Sequence, residues 1–279
     1  MNRRNFLSEM VARKQRNVAR LRTNSNADAL RARAVKIRKN AASHRLCEAL
    51  NATSPALKII AEFKRSSPSV GMIRDDLSPA DVAHQYERGG ACAISVLTDE
   101  EFFGGSIDDL SAVRSSTNLP VLRKDFIIDP IQIYEAAIAG ADAILLIVAA
   151  LDDGSLGELR KVAEDELALD ALIEVHTSED LRRALNVGAR IIGVNNRDLQ
   201  TFEVSLSTSE RLIAEAPPDR LMLSESGLRD PEHLHRLHAL GFRGFLIGEA
   251  LMRAKDPETA LRDLLANADD REIVSHETS

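Results

Sequence analysis

The sequence predicts an α/β fold, a closed (β/α)8 TIM barrel with an N-terminal helical extension. Short β-rich apolar runs alternate with helical patterns from residue 57 onward, as in a parallel α/β sheet. Eight such units fill about 220 residues, the usual size of a closed barrel. No G-x-G-x-x-G turn follows the first run, although an open sheet that binds a dinucleotide would carry one there.

The eight predicted strands follow in order along the chain. They are LKIIAEF (57–63), CAISVL (92–97), LPVLRKD (119–125), ADAILLIV (141–148), ALIEV (171–175), RIIGV (190–194), RLMLSE (220–225) and GFLIGE (244–249). Capping residues with prolines begin several of the intervening helices, as at Ser78-Pro79, Asp129-Pro130 and Asp230-Pro231, where the first-turn N–H groups need a partner. Glycines such as Gly140 and Gly188 end others.

The first 50 residues differ in charge from the rest of the chain. They carry 13 Lys and Arg against 3 Asp and Glu, whereas the whole chain has a net charge of −7. We expect residues 1–50 to form a helical extension that packs on the barrel. Its predicted contact residues are Phe6, Met10, Val11 and Leu21. An organelle transit peptide is the alternative for this segment. The barrel is assigned to residues 51–268 and a polar tail to residues 269–279.

Composition excludes several classes of protein. The longest apolar run, Ala143–Leu151, is about half of the roughly 20 residues that a membrane helix needs. The negative net charge argues against general binding of nucleic acid, which depends on excess Lys and Arg. The two cysteines, Cys47 and Cys92, provide no disulfide framework and are predicted to be buried, reduced thiols. We therefore expect a cytoplasmic protein that acts on a small molecule, with no nucleic-acid or membrane partner.

Charged and polar side chains stand at the carboxyl ends of the predicted strands, where barrels of this kind place their chemistry. They are Glu62, Lys64, Lys124, Glu174, Asn195 and Arg197. Side chains alternate along a strand, so Glu62 and Lys64 share a face, as do Asn195 and Arg197. Isolated buried charges are costly, so these groups must pair with one another or bind a ligand. Ion pairs that only support the rim are the alternative.

Small residues end the last two predicted strands. Ser226 and Gly227 come directly after the seventh, whose last residue is Glu225, and the eighth ends in Gly248 and Glu249. Backbone N–H groups at such turns bind phosphate in many barrels. We expect a phosphate cradle here, in which Glu249 uses its backbone and turns its side chain away. Tight turns without a ligand are the alternative.

Apolar residues near the same strand ends are candidates for the wall of a pocket that takes a flat ring. They are Phe63, Phe126, Leu145 and Leu199. The segments after the first two strands contain Ser66–Ser69 and Gly104–Ser106. Both are candidates for loops that close over a substrate, and Ser67 is a candidate substrate contact.

Three histidines on one predicted helix do not indicate a metal site. His235 and His238 follow His233 by two and five residues, a spacing that does not put all three on one helix face. They are predicted to be exposed, and no metal is expected. A G-x-S-x-G elbow is also lacking in the sequence, which gives nucleophilic hydrolysis no support.

Seven segments form an ordered series of motifs along the chain. They are IAEFKRSSPSVG (60–71), VLRKDFIID (121–129), LLIV (145–148), LIEVHTSED (172–180), GVNNRDLQTFEV (193–204), SESGL (224–228) and LIGEALM (246–252). Together they closely resemble the indole-3-glycerol phosphate synthase family of tryptophan biosynthesis. The N-terminal helical segment is similar to that of the family as well.

The resemblance implies a carboxy-lyase reaction that needs no cofactor. The family converts 1-(2-carboxyphenylamino)-1-deoxyribulose 5-phosphate to indole-3-glycerol phosphate, with loss of carbon dioxide and water. By resemblance, Lys124 is the general acid that protonates the ketone oxygen, a step best served by a lowered pKa. Glu174 is the base of the dehydration, Glu62 assists at the leaving hydroxyl and Lys64 holds an anionic group. The resemblance also allows the two lysines to exchange roles.

The resemblance assigns the remaining residues to substrate binding. Asn195, Arg197 and Ser226 orient the substrate, Gly227, Gly248 and the backbone of Glu249 hold the phosphate, and Phe126, Leu145 and Leu199 wall the anthranilate pocket. Two positions depart from the family pattern. His176 stands where some members carry a different polar residue, and Glu249 stands where others carry a serine. One alternative is another phosphosugar barrel enzyme. The other is a non-catalytic barrel that binds a sugar phosphate, or a partner protein through the basic arm, residues 1–50. We expect a monomer, with a weak dimer as the alternative.

Overall fold

A computed structural model describes residues 6–53 and 57–266. Within these ranges the strands are β1 (Ile59–Phe63), β2 (Ser66–Ser67), β3 (Gly71–Met72), β4 (Ala93–Leu97), β5 (Val121–Lys124), β6 (Ala143–Ile147), β7 (Asp170–Val175), β8 (Ile191–Asn195), β9 (Leu221–Glu225) and β10 (Gly244–Ile247). Eight of them pair in parallel and close into a barrel in the order β1-β10-β9-β8-β7-β6-β5-β4. The short strands β2 and β3 form an antiparallel hairpin after β1. The predicted fold class is confirmed.

Helices precede the barrel and connect its strands. In the described ranges they are α1 (Phe6–Asn24), α2 (Ala27–Arg38), α3 (Arg45–Asn51), α4 (Pro79–Gly89), α5 (Glu100–Phe103), α6 (Ile107–Ser116), α7 (Pro130–Ala139), α8 (Asp153–Lys161), α9 (Ser178–Asn186), α10 (Ser207–Glu215), α11 (Pro231–Ala239), α12 (Glu249–Arg253) and α13 (Pro257–Leu265). A 3-10 turn spans Val148–Ala150 and a π-helical turn spans Val162–Glu166. The predicted caps form: Asp129 accepts a hydrogen bond from the backbone N–H of Ile131, and Asp230 accepts one from Glu232.

Each barrel strand alternates between two apolar layers. Residues such as Ile60 and Leu122 lie inside the barrel, in a cluster with Leu172 and Leu223. Their neighbours, such as Ile59, belong to the layer between strands and helices. Because the alternation has period two, the same parity directs the charged residue at the end of each of these strands into the barrel mouth.

The N-terminal helices contact both ends of the barrel. Lys14 of α1 pairs with Asp125 just beyond the carboxyl end of β5. At the opposite end, the backbone N–H of Cys47 in α3 donates to Asp170, the first residue of β7. Of the predicted contact residues of α1, Phe6 and Met10 are buried, whereas Val11 and Leu21 are half-buried. Helix α1 thus contacts the barrel through Phe6, Met10 and Lys14.

Ion pairs connect the basic N-terminal extension to the barrel. Three arginines of the arm reach carboxylates of the barrel helices and loops: Arg22 with Asp129 at 2.8 Å, Arg31 with Glu166 at 2.7 Å, and Arg45 with Asp142 at 2.7 Å. These three arginines thus pair with acidic groups of their own chain.

Other expectations have mixed outcomes. Cys47 and Cys92 are free thiols, in line with the prediction, but both are half-buried where buried side chains were predicted. Among the described residues, no helix is long and apolar enough to cross a membrane. The predicted tail at residues 269–279 lies outside the described residues.

Candidate active site

A cavity of about 650 Å³ opens at the carboxyl ends of the strands, which is within the usual range for small-molecule sites. Every predicted catalytic and substrate-binding residue lines it. They are Glu62, Lys64, Ser67, Lys124, Phe126, Leu145, Glu174, Asn195, Arg197, Leu199, Glu225, Ser226, Gly227, Gly248 and Glu249. Residues at or just after the carboxyl ends of all eight barrel strands thus line one cavity.

Lys124 is the central cation of the cavity. Its Nζ lies 3.5 Å from Oε2 of Glu174 and 3.5 Å from Oε2 of Glu225. Burial disfavours the charged ammonium, but the carboxylates of Glu225, Glu174 and Glu62 outweigh it, and the pKa of Lys124 is raised. The expectation of a lowered pKa is therefore wrong, because three carboxylates surround one lysine.

Glu62 and Lys64 form a second charged group beside Lys124. Lys64 Nζ donates to Oε1 of Glu62 at 2.6 Å. Burial favours the neutral form of Glu62, but Lys64 and Lys124 overcome it and lower the pKa. A Cβ on Gly248 would lie 2.3 Å from Oε1 of Glu62. Gly248 is thus a glycine because the carboxyl group of Glu62 occupies that space.

Glu225 is the most perturbed carboxyl group of the site. It ends β9 and is almost fully buried. Burial raises its pKa to about 8, and the nearby carboxylates of Glu174 and Glu62 act in the same direction, while Lys124 opposes them. A Cβ on Gly193 of β8 would lie 2.0 Å from Oε1 of Glu225. Sequence analysis missed Gly193, although a glycine inside a strand signals such close approach.

The backbone just after β9 is left-handed at two successive residues. Ser226 and Gly227 both have positive φ, 67° and 76°, a conformation that is costly for serine and that concentrates at functional sites. The side chain of Glu249 turns to Arg253, which donates from Nε to Oε1 at 3.1 Å. Arg197 lies 3.8 Å from the other oxygen of Glu249. The carboxylate is therefore neutralised next to the predicted phosphate cradle.

Aromatic residues cover the apolar side of the cavity. Phe126 lines it as predicted, and Phe6 of α1 adds a wall that sequence analysis had assigned only to helix packing. The ring of Phe6 meets the ring of Phe202 edge-on, at 5.1 Å between centroids. Phe63 does not belong to this wall: it points outward into the helix-facing layer, and the guanidinium of Arg65 lies over its ring. The assignment of Phe63 to the pocket is wrong because strand alternation turns it away from Glu62.

The two candidate loops differ in their relation to the cavity. Ser67 and Ser69 line it, and their hydroxyl groups lie 3.2 Å apart. Gly104–Ser106 lie behind this lining, where Ser106 caps α6 by accepting from the N–H of Asp109. Of the two predicted loop ranges, only Ser66–Ser69 contributes residues to the lining of the cavity.

The histidines of α11 are less exposed than predicted. Only His238 is exposed, whereas His233 and His235 are half-buried, and His233 lines the cavity near Gly227. Within the described ranges, no three His, Cys, Asp or Glu residues are arranged to hold a metal ion.

The chain is similar to known proteins over most of its length. The model of the family "Indole-3-glycerol phosphate synthase" matches residues 7–264. The chain belongs to this family. Its activity is therefore that of a carboxy-lyase of tryptophan biosynthesis that forms indole-3-glycerol phosphate.

Individual relatives support the assignment. The chain is 50% identical over 210 residues to the indole-3-glycerol phosphate synthase of Albidiferax ferrireducens, covering 75% of this chain and 79% of that protein. It is also 50% identical over 211 residues to that of Carboxydothermus hydrogenoformans, with the same coverage. Among solved structures, the thiamine phosphate pyrophosphorylase of Pyrococcus furiosus aligns with a TM-score of 0.56 and 16% identity, covering 79% of this chain and 96% of that one. The latter likeness concerns the fold alone.

Proposed function

We propose that this member of the indole-3-glycerol phosphate synthase family uses Lys124 as the general acid of ring closure. The observation that carries the proposal is the position of Lys124 Nζ, deep in the mouth and 3.5 Å from both Glu174 and Glu225. A ketone placed above this ammonium accepts its proton while the aromatic carbon attacks the ketone carbon. Lys64 lies at the side of the cavity, tied to Glu62, and suits an anionic substrate group better than the central proton transfer.

Decarboxylation follows from ring closure without further help from an acid or base. Attack by the aromatic ring leaves an iminium next to the carbon that bears the carboxylate. The electron pair released with carbon dioxide neutralises that iminium. The role of the site in this step is to hold the carboxylate and exclude water, for which Lys64 and the wall at Phe126 are placed.

Dehydration requires an acid for the hydroxyl and a base for the ring proton. Glu174 is the proposed base, and Glu62 with its bound Lys64 assists the departing hydroxyl. Two protons are delivered over the sequence and one is removed, so each turnover takes up one proton from solvent. The 3.5 Å contact between Glu174 and Lys124 lets the base return its proton to the acid.

Substrate binding is proposed to divide between two ends of the cavity. The backbone at Gly227, Gly248 and Glu249 holds the phosphate, where the left-handed turn at Ser226 and Gly227 presents N–H groups. Phe126, Leu145 and Leu199 pack on the anthranilate ring. The remaining proposed contacts orient the chain between these ends: Ser67, Asn195, Arg197, Glu225 and Ser226.

The test uses the fluorescence of the indole product. The protein has no Trp and 2 Tyr, so indole emission is visible against a dark background. Wild-type protein with the carboxyphenylamino-deoxyribulose phosphate should produce rising emission, and Lys124→Ala should reduce the rate by at least about a thousandfold. Lys161→Ala, at an exposed position of α8, is the control. Full activity of Lys124→Ala would remove Lys124 from the acid role.

We also propose that the protein works as a cytoplasmic monomer, with residues 1–50 as the extension and 51–268 as the catalytic unit. The packing of α1 and α3 against their own barrel supports this, because the arm completes the mouth of its own chain. Light scattering behind size exclusion gives the mass directly. A stable dimer, or a protein recovered outside the cytoplasmic fraction, would contradict it.

A further inference from the structure

His176 follows the proposed base by two residues, just beyond the carboxyl end of β7, and has no role in the reaction derived above. Its Nε2 is 3.5 Å from Oε1 of Glu174. Both ring nitrogens are buried, and neither has a hydrogen-bond partner among the described residues. Buried polar groups without partners cost free energy and are uncommon in folded proteins. An imidazole kept in this state beside a carboxylate calls for an explanation.

The backbone of His176 is fixed by the start of α9. Oδ2 of Asp180 accepts hydrogen bonds from the backbone N–H groups of His176, at 3.1 Å, and Thr177, at 3.0 Å. Thr177 and Asp180 also form the reciprocal capping box of this helix. The imidazole therefore projects from a rigid base, and its distance from Glu174 is set by the end of β7 and the first turn of α9.

The carboxylate of Glu174 is contacted from two sides. Lys124 approaches Oε2, and His176 approaches Oε1. Lys124 lines the cavity, whereas His176 is absent from its lining. A substrate that engages Lys124 thus weakens one contact of the base and leaves the other in place.

We propose that His176 is a positioning residue, whose Nε2–H holds Oε1 of Glu174 so that Oε2 stays directed into the cavity. The proposal rests on the proposed role of Glu174 as the base. A neutral imidazole carries one N–H, and the nitrogen that faces the carboxylate is Nε2. Hydrogen bonds of this kind are often long in an empty site and shorten when substrate is bound.

The proposal predicts a loss in turnover without a loss in binding. In His176→Leu the apolar side chain fills the space but donates nothing, so Glu174 is free to rotate. We expect kcat to fall by about tenfold to a hundredfold, with KM changed by less than about twofold. His176→Gln places an amide donor near the position of Nε2 and should restore most of kcat. His84→Leu, at an exposed histidine of α4, is the matched control.

Three outcomes would overturn the proposal: wild-type kcat in His176→Leu, a loss that His176→Gln does not restore, or a rise in KM that accounts for the loss. If His176→Leu fails to fold, nitrogen-15 NMR of histidine in the wild-type protein decides, because the proposal requires the Nε2–H tautomer and the Nδ1–H tautomer contradicts it. Glu174→Gln tests the base role of Glu174 separately from the positioning role of His176. Wild-type turnover in that variant would refute the base assignment itself, independently of the histidine variants.

Discussion

Nζ of Lys14 lies 2.6 Å from Oδ1 of Asp125, one residue beyond the proposed acid. The same ammonium lies 2.8 Å from Oδ2 of Asp99, at the end of the neighbouring strand. Burial lowers the pKa of Lys14, but the two carboxylates outweigh it and raise the pKa. One buried side chain of α1 therefore joins the ends of β4 and β5 and brings Phe6 over the cavity.

Replacing Lys14 by methionine should destabilise the protein and weaken substrate binding. The variant keeps the volume of the side chain but removes the cation from buried Asp99 and leaves buried Asp125 with Arg123 alone, a loss of about 3–5 kcal/mol for broken buried pairs. Release of α1 also removes Phe6 from the cavity wall, so KM should rise more than kcat falls. Denaturant unfolding and steady-state kinetics measure the two effects.

Arg22→Met is the matched control for that experiment. Arg22 lies on the same helix and pairs with Asp129 of the same barrel face at 2.8 Å, but its side chain is 54% exposed. Exposed ion pairs contribute less than about 1 kcal/mol. Equal losses in both variants would show that any cation on α1 suffices, and that burial of Lys14 has no special weight.

Asp125 should make the protein sensitive to acid. The neighbouring cations Lys14 and Arg123 overcome burial and lower its pKa to about 2. A carboxyl group with a lowered pKa in the folded state stabilises above its ordinary pKa, and this contribution disappears as the pH falls from about 4 through about 2. We expect about 2 kcal/mol of unfolding free energy to be lost over that window.

Denaturant unfolding at several pH values tests this expectation. Asp125→Asn should be less stable than wild type at pH 7 and should show a shallower dependence below about pH 4. Asp219→Asn, at a carboxyl group whose side chain is 67% exposed, is the control. Parallel curves for wild type and Asp125→Asn would contradict the expectation.

The sequence revealed the barrel because its signals are local and repeat. Each apolar run, its charged last residue and the following cap depend on neighbours within a few positions, so Glu62 and Glu174 could be placed at strand ends and their faces inferred. Phe63 directly follows Glu62, so strand alternation directs the two side chains to opposite faces of the sheet. Its position on the strand, and not its aromatic side chain, determines that it lies outside the cavity.

Features that depend on distant contacts could not be predicted in this way. Phe6 is separated from Phe202 by most of the chain, and only the folded arm brings their rings to 5.1 Å. The raised pKa of Lys124 likewise depends on Glu225, Glu174 and Glu62, which lie on three other strands. A sequence shows that charges converge on a barrel mouth. The direction of a pKa shift depends on whether burial or the neighbouring charges dominate, and this requires the distances between the groups.

The carboxyl group of Glu225 should make the folded state less stable as the pH rises from about 4.5 to about 8. Burial raises its pKa to about 8. For a carboxyl group with a raised pKa, stability is fully present below its ordinary pKa of about 4.5 and is lost as the pH rises through about 8. Glu225→Gln keeps a neutral side chain of similar size. We therefore expect this variant to be more stable than wild type at pH 8.5, although less active because a substrate contact is altered.

Denaturant unfolding at pH 5 and pH 8.5 measures the effect. Wild type should lose more than about 2 kcal/mol between these values, and Glu225→Gln should lose clearly less. Glu203→Gln, at an exposed position, should follow wild type. If Glu225→Gln loses as much stability as wild type over this range, the carboxyl group is already ionised in the folded protein at pH 5.

Gly227→Ala should impair phosphate binding specifically. Gly227 has a φ of +76°, and an added Cβ would lie 2.4 Å from Cγ1 of Val204. The substitution strains the backbone by about 1–2 kcal/mol and shifts the turn whose N–H groups are proposed to hold the phosphate. Gly188→Ala is the matched control, because its φ is +80° but an added Cβ would have no neighbour within 4 Å. We expect Gly227→Ala to lose more stability than Gly188→Ala because of the contact with Val204, and only Gly227→Ala to raise KM by about tenfold or more with kcat less affected. Equal KM values in the two variants would show that the turn at Gly227 serves the fold alone, and the phosphate would have to be sought elsewhere in the cavity.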